Sequence, residues 1–595
     1  MANCDNPNYM DGNNNLPLPN SSNRCKYVVS SVTTFLQSQT EDECCPFFVD
    51  IPTLPKSQID HLRQVGLLPS VANSLTSSMS TQEGDRGYED IVDITDLLDK
   101  RVIDVSDRKN MSNCNDNNKG KRLLNESKCL VSTDTSSTLN KDVTTNNGQD
   151  NSSNDYIKKK LQNEEDEKYD ICLLRSKHIA YCKNALTNPL PSSYISLDAA
   201  RPWMIYWNLH SLDLLNALPS PHDLINIVRQ LELCWEEFPI PNGKERKGEM
   251  KMAGGYGGGP GQMAHGATTY AAVLALCIIA GCGNSSEYDT KASKKGFQQN
   301  QKKIKEYTYN DAANYARSVI VYIRPKLYEF FYLLRTPISS KQNHMRGAKK
   351  RQDNLVGFSM HIDGENDVRG TYTVIAISHL LQILTPELIH NVSNYIISCQ
   401  TYEGGFGGEP MGTEAHGGYT FCAVAALSLL NDLRKVKDRS NLLSWLAKRQ
   451  MEYEGGFSGR SNKLVDGCYS FWIGGTSALI MLEGLIYGEC NGSIMQSIAL
   501  ERYLLLCGQC VDGGMRDKPS KPRDFYHTCY CLSGLSTAQH YGKSKPSRNG
   551  SKGSENKIIF GHSNNLLQKT DPYFNILVQR VENLKAFLHV NNIKS

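Results

Sequence analysis

From about residue 170 onward, compact apolar blocks alternate with polar stretches, and the apolar residues fall at helical spacing. Tyr270 to Ile279, Tyr419 to Leu430, Tyr469 to Leu482 and Cys529 to Ala538 each keep apolar residues on successive helical turns. Each block follows a glycine turn: Gly254-Gly255-Tyr256-Gly257, Gly404-Gly405-Phe406-Gly407, Gly455-Gly456-Phe457 and Gly513-Gly514-Met515, with a weaker copy at Val356-Gly357-Phe358. Gln400, Gln450 and Gln509 precede the last three turns, and a second apolar segment such as Leu442 to Gln450 leads into the next glutamine. The unit reads helix, loop, helix, turn, with a period of about 50 residues and essentially no strand alternation. Several such pairs closing on themselves predict an all-α fold, an α-α barrel or toroid whose inner helices begin just after the glycine turns. The N-terminal ends of those helices, with their exposed N–H groups, then surround one mouth of the barrel.

The barrel is expected over residues 166–595. Residues 1–165 are crowded with Asn, Ser, Thr and Asp, as in Asn113-Cys114-Asn115-Asp116-Asn117-Asn118. Such a stretch cannot bury enough apolar surface to offset its ordering entropy, so it is expected to be mostly disordered. Tyr27 to Phe48 is the one part of it suited to docking. Polar runs at 284–306, 337–353 and 543–557 read as surface insertions between packed elements. The 595 residues carry a formal net charge of +3, which points neither to nucleic acid nor to a membrane surface. The longest apolar run, Ala271 to Ala280, is too short to span a bilayer. The 19 cysteines, with no export signal ahead of them, suggest reduced thiols and a cytoplasmic location.

The chemistry concentrates in Asp466-Gly467-Cys468-Tyr469-Ser470-Phe471-Trp472 and in His527. One carboxylate, one thiol and one imidazole form a ligand set for zinc that keeps a position open, as catalytic zinc sites do. Asp-x-Cys alone also suits a helix cap beside a buried thiol. Cations flank both halves, Arg460 and Lys463 on one side and Lys518, Lys521 and Arg523 on the other. Such a site suits two reacting partners, a thiol and an anion such as a phosphate. Trp203, Tyr206, Trp207, Tyr270, Tyr419, Phe421, Trp472, Tyr526 and Tyr530 fall on the expected inner helices. They pack a core, or they wall a hole for a long apolar chain with an anionic head.

With these residues in hand, the chain resembles the protein prenyltransferase β-subunit family, on its farnesyl-transferring side. The resemblance covers about residues 170–595 apart from the insertions. It is carried by Leu197 to Trp203, Gly404 to Gly408, Glu414 to Cys422, Asn462 to Trp472 and Asp517 to Gly534. It implies one zinc ion on Asp466, Cys468 and His527, taking the cysteine thiol of a C-terminal Cys-a-a-X motif. It implies that His416, Arg460, Lys463 and Tyr469 grip the diphosphate of farnesyl diphosphate, and that Tyr419, Cys422 and Trp472 wall the isoprenoid. Trp203 and Tyr530 would form the floor of that cavity, excluding a lipid one isoprene longer. Trp203, Trp207 and Tyr526 would contact the peptide, with Arg369 near its backbone or terminus, and Asp517 would serve a magnesium ion on the diphosphate. The implied partners are a separate α subunit and Cys-a-a-X proteins such as small GTPases. Ala200, Thr268 and Met263-Ala264 depart from the family pattern beside the pocket for the last motif residue. An isoprenoid cyclase is disfavoured by the missing Asp-x-Asp-Asp motif. An inactive scaffold is disfavoured because the cations stand beside the ligand set. Gly255 to Gly261 lacks the preceding strand that a dinucleotide loop needs.

Overall fold

The computed structural model describes residues 32–44, 171–240, 251–283, 306–338, 355–411, 414–485, 493–542 and 559–590. Nearly all of the three expected insertions, and all of residues 1–165 except 32–44, lie outside the described residues.

In chain order the main elements are α1 (Val32–Cys44), α2 (Arg175–Thr187), α3 (Arg201–Leu214), α4 (Pro221–Glu232), β1 (Trp235–Pro239), β2 (Met252–Tyr256), α5 (Gly266–Ala280), α6 (Tyr309–Leu333), β3 (Arg335–Ile338), β4 (Leu355–Phe358), α7 (Val368–Leu380), α8 (Val392–Ser398), α9 (Gly417–Leu429), α10 (Arg439–Ala447), α11 (Tyr469–Leu482), α12 (Ser497–Tyr503), β5 (Met515–Arg516), β6 (Arg523–Asp524), α13 (Phe525–Tyr541), β7 (Thr570–Asp571), β8 (Ile576–Leu577) and α14 (Val578–Val590). The inner ring is α3, α5, α7, α9, α11 and α13, each packed on the next, and α13 returns to α3. These helices are apolar nearly all round, as helices covered on every side must be. In α5 every residue from Thr268 to Ala280 is buried.

The glycine turns do the joining. Gln400 donates from Nε2 to the Gly404 carbonyl of its own turn at 3.0 Å and to Asp438 O, ahead of α10, at 2.8 Å. Gln450 repeats this with Gly455 O at 2.8 Å and Gln496 O, ahead of α12, at 3.0 Å. Gln509 instead donates to Cys172 O at 3.0 Å and accepts from Leu174 N, just before α2. The last turn is therefore stitched to the first outer helix, and the ring closes head to tail. A threonine early in the following inner helix completes the motif. Thr269, Thr420 and Thr528 each accept from the backbone N–H of the residue after the glycines, at 2.9 Å.

Sequence periodicity points away from strands, yet four two-stranded antiparallel hairpins are present among the described residues. Three lead into inner helices and aim their N-terminal ends. The fourth, β7–β8, stops the barrel at the end opposite the mouth. Tyr206, Tyr270 and Tyr372 donate their hydroxyls to Asn575 O, Phe574 O and Tyr573 O at 2.7, 3.1 and 2.8 Å. Gln568 N reaches Leu214 O at the far end of α3, and Phe574 faces His379 near the far end of α7. Among the described residues no helix is long and apolar enough to cross a membrane.

Candidate metal centre and aromatic cavity

Asp466 and Cys468 stand immediately ahead of α11, and His527 lies in the first turn of α13. Gly467 between the first two must be bare: a Cβ there would lie 2.5 Å from Cys531 Sγ and 2.8 Å from Arg516 O. Its N–H donates to Asp517 O at 2.7 Å, pinning the Asp466–Cys468 turn to the loop that precedes α13. One ligand atom each from Asp466, Cys468 and His527 lies within 4.8 Å of the others, and no other cluster of this kind exists among the described residues.

The histidine is held from two sides. Asp524 caps α13 by accepting His527 N–H at 2.7 Å, and its other oxygen meets Nδ1 at 2.6 Å. Nε2 faces Asp466 Oδ1 at 3.2 Å. Burial alone would lower the imidazole's pKa, but the two carboxylates outweigh it and hold the ring protonated to about pH 10. Asp466, although burial opposes it, is kept below its usual range by His527 and the Cys468 N–H. Burial, and then the Asp466 charge, push the Cys468 thiol well above its ordinary value. A carboxylate oxygen, a buried sulfur and an imidazole nitrogen thus converge beside a second carboxylate, Asp524, in surroundings that favour a cation. That donor set fits a zinc ion, with Asp524 orienting the histidine from behind. Asp524 is absent from the sequence-level candidates, although the Asp-x-x-His spacing at a helix start was a capping signal that could have found it.

The other expected residues divide. His416 caps α9 through Nδ1, which accepts Gly418 N–H at 3.0 Å, so Nε2 carries the proton and faces Tyr469 Oη at 3.0 Å. Burial, then Arg460, lower its pKa to about 4. His416 is therefore a neutral donor at physiological pH. Arg460 pairs with Glu414 at 3.0 Å while both remain open to water, and Lys463 is exposed nearby. Asp517 is held by Lys518 at 2.6 Å, and burial and the Asp466 charge raise its pKa. Arg369 forks onto Asp367 at 2.5 Å and lies 5.5 Å from the Tyr419 ring centre. Cys422 is buried in that neighbourhood.

The aromatic side chains form a closed circuit. Trp203 leads to Tyr270 (6.0 Å between ring centres), Tyr372 (5.5 Å), Phe421 (5.4 Å), Trp472 (5.2 Å), Tyr530 (4.4 Å), Tyr526 (4.8 Å), Trp207 (5.6 Å) and back to Trp203 (5.5 Å). All six inner helices contribute. Trp203 reaches Tyr530 through Trp207 and Tyr526, and both belong to this belt, while the hairpin β7–β8 lies beyond it. Tyr372 is the member that sequence reasoning missed, because the glycine turn before α7 is degenerate.

A closed ring of helix pairs with a metal-ligand cluster at one rim and an aromatic belt within defines a class of protein. The family model described as the prenyltransferase alpha-alpha toroid domain matches residues 173–323 and 332–576, and the chain belongs to that family. Protein farnesyltransferase subunit beta of Pisum sativum is 35% identical over 444 residues, covering 65% of this chain and 88% of the relative. The Schizosaccharomyces pombe protein of the same name is 36% identical over 367 residues, covering 61% and 77%. Geranylgeranyl transferase type-1 subunit beta of Arabidopsis thaliana is 36% identical, but over 217 residues, covering 35% and 55%.

Proposed function

We propose that this chain is the catalytic β subunit of a zinc-dependent protein farnesyltransferase. It moves farnesyl from farnesyl diphosphate to the cysteine thiol of a C-terminal Cys-a-a-X sequence, in a heterodimer with a separate α subunit. The observation that carries the reading is the convergence of Asp466, Cys468 and His527 at the rim of an aromatic-walled barrel. The long matches to farnesyltransferase β subunits favour the fifteen-carbon lipid over the twenty-carbon one.

Asp466, Cys468 and His527 would hold the zinc, which when bound lowers the pKa of a thiol in its open position so that the thiolate prevails near neutral pH. The chain's own residues do the rest. Asp524 fixes the ring of His527. His416 and the Tyr469 hydroxyl it faces supply neutral donors, and Arg460 and Lys463 supply charge, for the diphosphate oxygens. The sulfur forms its bond to C1 as the C1–O bond breaks, and the bonding pair leaves on the diphosphate, where those donors stabilise it. Asp517, with Lys518 and Lys521 near it, would hold a magnesium ion, which when bound supplies positive charge to the diphosphate. Trp203, Trp472, Tyr419, Cys422 and Tyr530 wall the isoprenoid. Trp207, Tyr526 and Arg369, with Trp203, meet the peptide.

Metal analysis of the complex co-expressed with its α subunit tests this directly. One zinc per complex is expected, and Cys468→Ala should remove zinc and turnover while farnesyl diphosphate still binds. A native complex active without zinc would overturn the zinc reading, and loss of lipid binding equal to the loss of turnover in the variant would overturn the separation of roles.

A further inference from the structure

Helix α1 belongs to a stretch whose composition argues against a packed core, yet it sits on the toroid. Gln37 donates to Glu454 Oε1 at 2.9 Å, supplying a partner to a carboxylate buried in the third of the glycine turns. Thr40 and Cys44 are buried, and the Cys44 thiol lies close enough to that of Cys507 to help push its pKa up. Cys507 belongs to a π-helical turn, Leu504–Gly508, that ends α12. Glu43 accepts the hydroxyl of Ser520, at the tip of the loop between β5 and β6, in competition with the Pro519 carbonyl 2.6 Å from the same oxygen.

That loop is where the site's two halves meet. Asp517 and Lys518 stand at its start and Asp524, which holds His527, at its end. Its first residues are framed by the turn that receives α1: Arg516 Nε donates to Cys507 O at 3.0 Å, and Tyr503 Oη to Asp517 O at 2.7 Å. The same Asp517 carbonyl accepts Gly467 N–H between two expected metal ligands. Ser520 itself has φ +64, a left-handed conformation that costs a residue with a Cβ and persists only when the surroundings hold it. The Glu43 carboxylate is a holder supplied from outside the toroid.

We propose that α1 is a built-in clamp on the active-site loop, with Glu43 and Ser520 as positioning residues. They hold residues 517–524 in the conformation that presents Asp517 and Lys518 to the lipid diphosphate and its magnesium. The second half of this statement rests on the reading of Asp517 given under Proposed function; the clamp itself does not.

The test uses the full chain with its α subunit, comparing native protein with Glu43→Ala, Ser520→Ala, the double variant and Glu43→Gln, whose carbonyl still accepts the serine hydroxyl. In both alanine variants, amide hydrogen exchange over residues 516–524 should rise about tenfold as the loop opens locally. The magnesium concentration for half-maximal rate should rise about threefold to tenfold, with peptide KM and zinc content unchanged. The double variant should be little worse than either single one, because both remove the shared Glu43–Ser520 contact, and Glu43→Gln should stay near native. Unaltered exchange in both single variants overturns the clamp. So do additive effects, or zinc lost in parallel, which would make α1 a general stabiliser. Asp517→Ala in the same assay isolates the other premise. If it leaves the magnesium response untouched, the reading of Asp517 fails, and the exchange data still decide the clamp.

Discussion

At the scale of single residues, the site is an arrangement of opposed charges around a few buried atoms. His527 between Asp466 and Asp524, and Asp517 beside Lys518, each hold a cation where the proposed chemistry places a metal. Arg460 is different: it is half-exposed and, among the described residues, paired only with Glu414, so little has to be broken for it to turn onto a phosphate. Arg460→Ala should weaken productive use of farnesyl diphosphate by about 1–3 kcal/mol in kcat/KM, as expected for a lost charge-assisted contact. Steady-state kinetics at fixed peptide measure this, and an unchanged kcat/KM for the lipid would remove Arg460 from the diphosphate site. Asp466, Cys468 and His527 were legible as candidates because their types and cationic flanks are unusual together. That their ligand atoms fall within one small sphere was not legible, because helices α11 and α13 are joined by more than forty residues of intervening chain.

At the scale of elements, the glycine turns carry the architecture. Gly455 has φ +79, and a Cβ there would lie 2.5 Å from the Ala499 carbonyl in α12. Gly455→Ala should therefore lower unfolding free energy by about 1–3 kcal/mol, through strain and through separation of the turn from the next outer helix. Thermal denaturation of the purified complex reads this, and an unchanged midpoint would mean that the turn is not a structural joint. The repeat was legible because glutamine, glycine and helical apolar spacing recur together. The hairpins were not: strands of two to five residues are shorter than the window in which alternation stands out. Helix α1 was visible only as a stretch suited to docking, because its anchors, Glu454, Cys507 and Ser520, lie hundreds of residues away.

At the scale of the whole molecule, closure of the ring converts separate aromatic residues into one belt. Trp203 joins that belt between Tyr270 and Trp207, with ring centres 6.0 and 5.5 Å away. Trp203→Thr removes an indole from the wall, making room for about one further isoprene unit, and should shift turnover toward geranylgeranyl diphosphate. Competition between the two lipids for one Cys-a-a-X peptide checks this; a native complex that uses both equally would defeat the farnesyl assignment. Packing the ring also buries histidines. Burial lowers the pKa of His178 to about 4 and of His210 to about 3, against hydrogen bonds that oppose the shift only in part. In the unfolded chain both take up protons near pH 6.5, while in the folded chain they stay neutral. Stability should therefore be fully present above about pH 6.5 and fall on acidification toward pH 4, by about 1.4 kcal/mol per pH unit for each histidine. Unfolding midpoints at pH 7 and pH 5 should differ, and His178→Gln should narrow the gap.

The sequence by itself determined the helical repeat, the side of each helix start on which chemistry gathers, and the residue types of the metal cluster. These are local or periodic properties, set by spacing and side-chain chemistry. Tertiary structure alone decided the rest: that Gln509 closes the ring onto Cys172 and Leu174, that Asp524 stands behind His527, that eight aromatic rings form one circuit, and that α1 reaches Ser520. Each of these depends on residues brought together by ring closure or by the packing of helix on helix, and the angle at which two helices meet is not written in the spacing of either one.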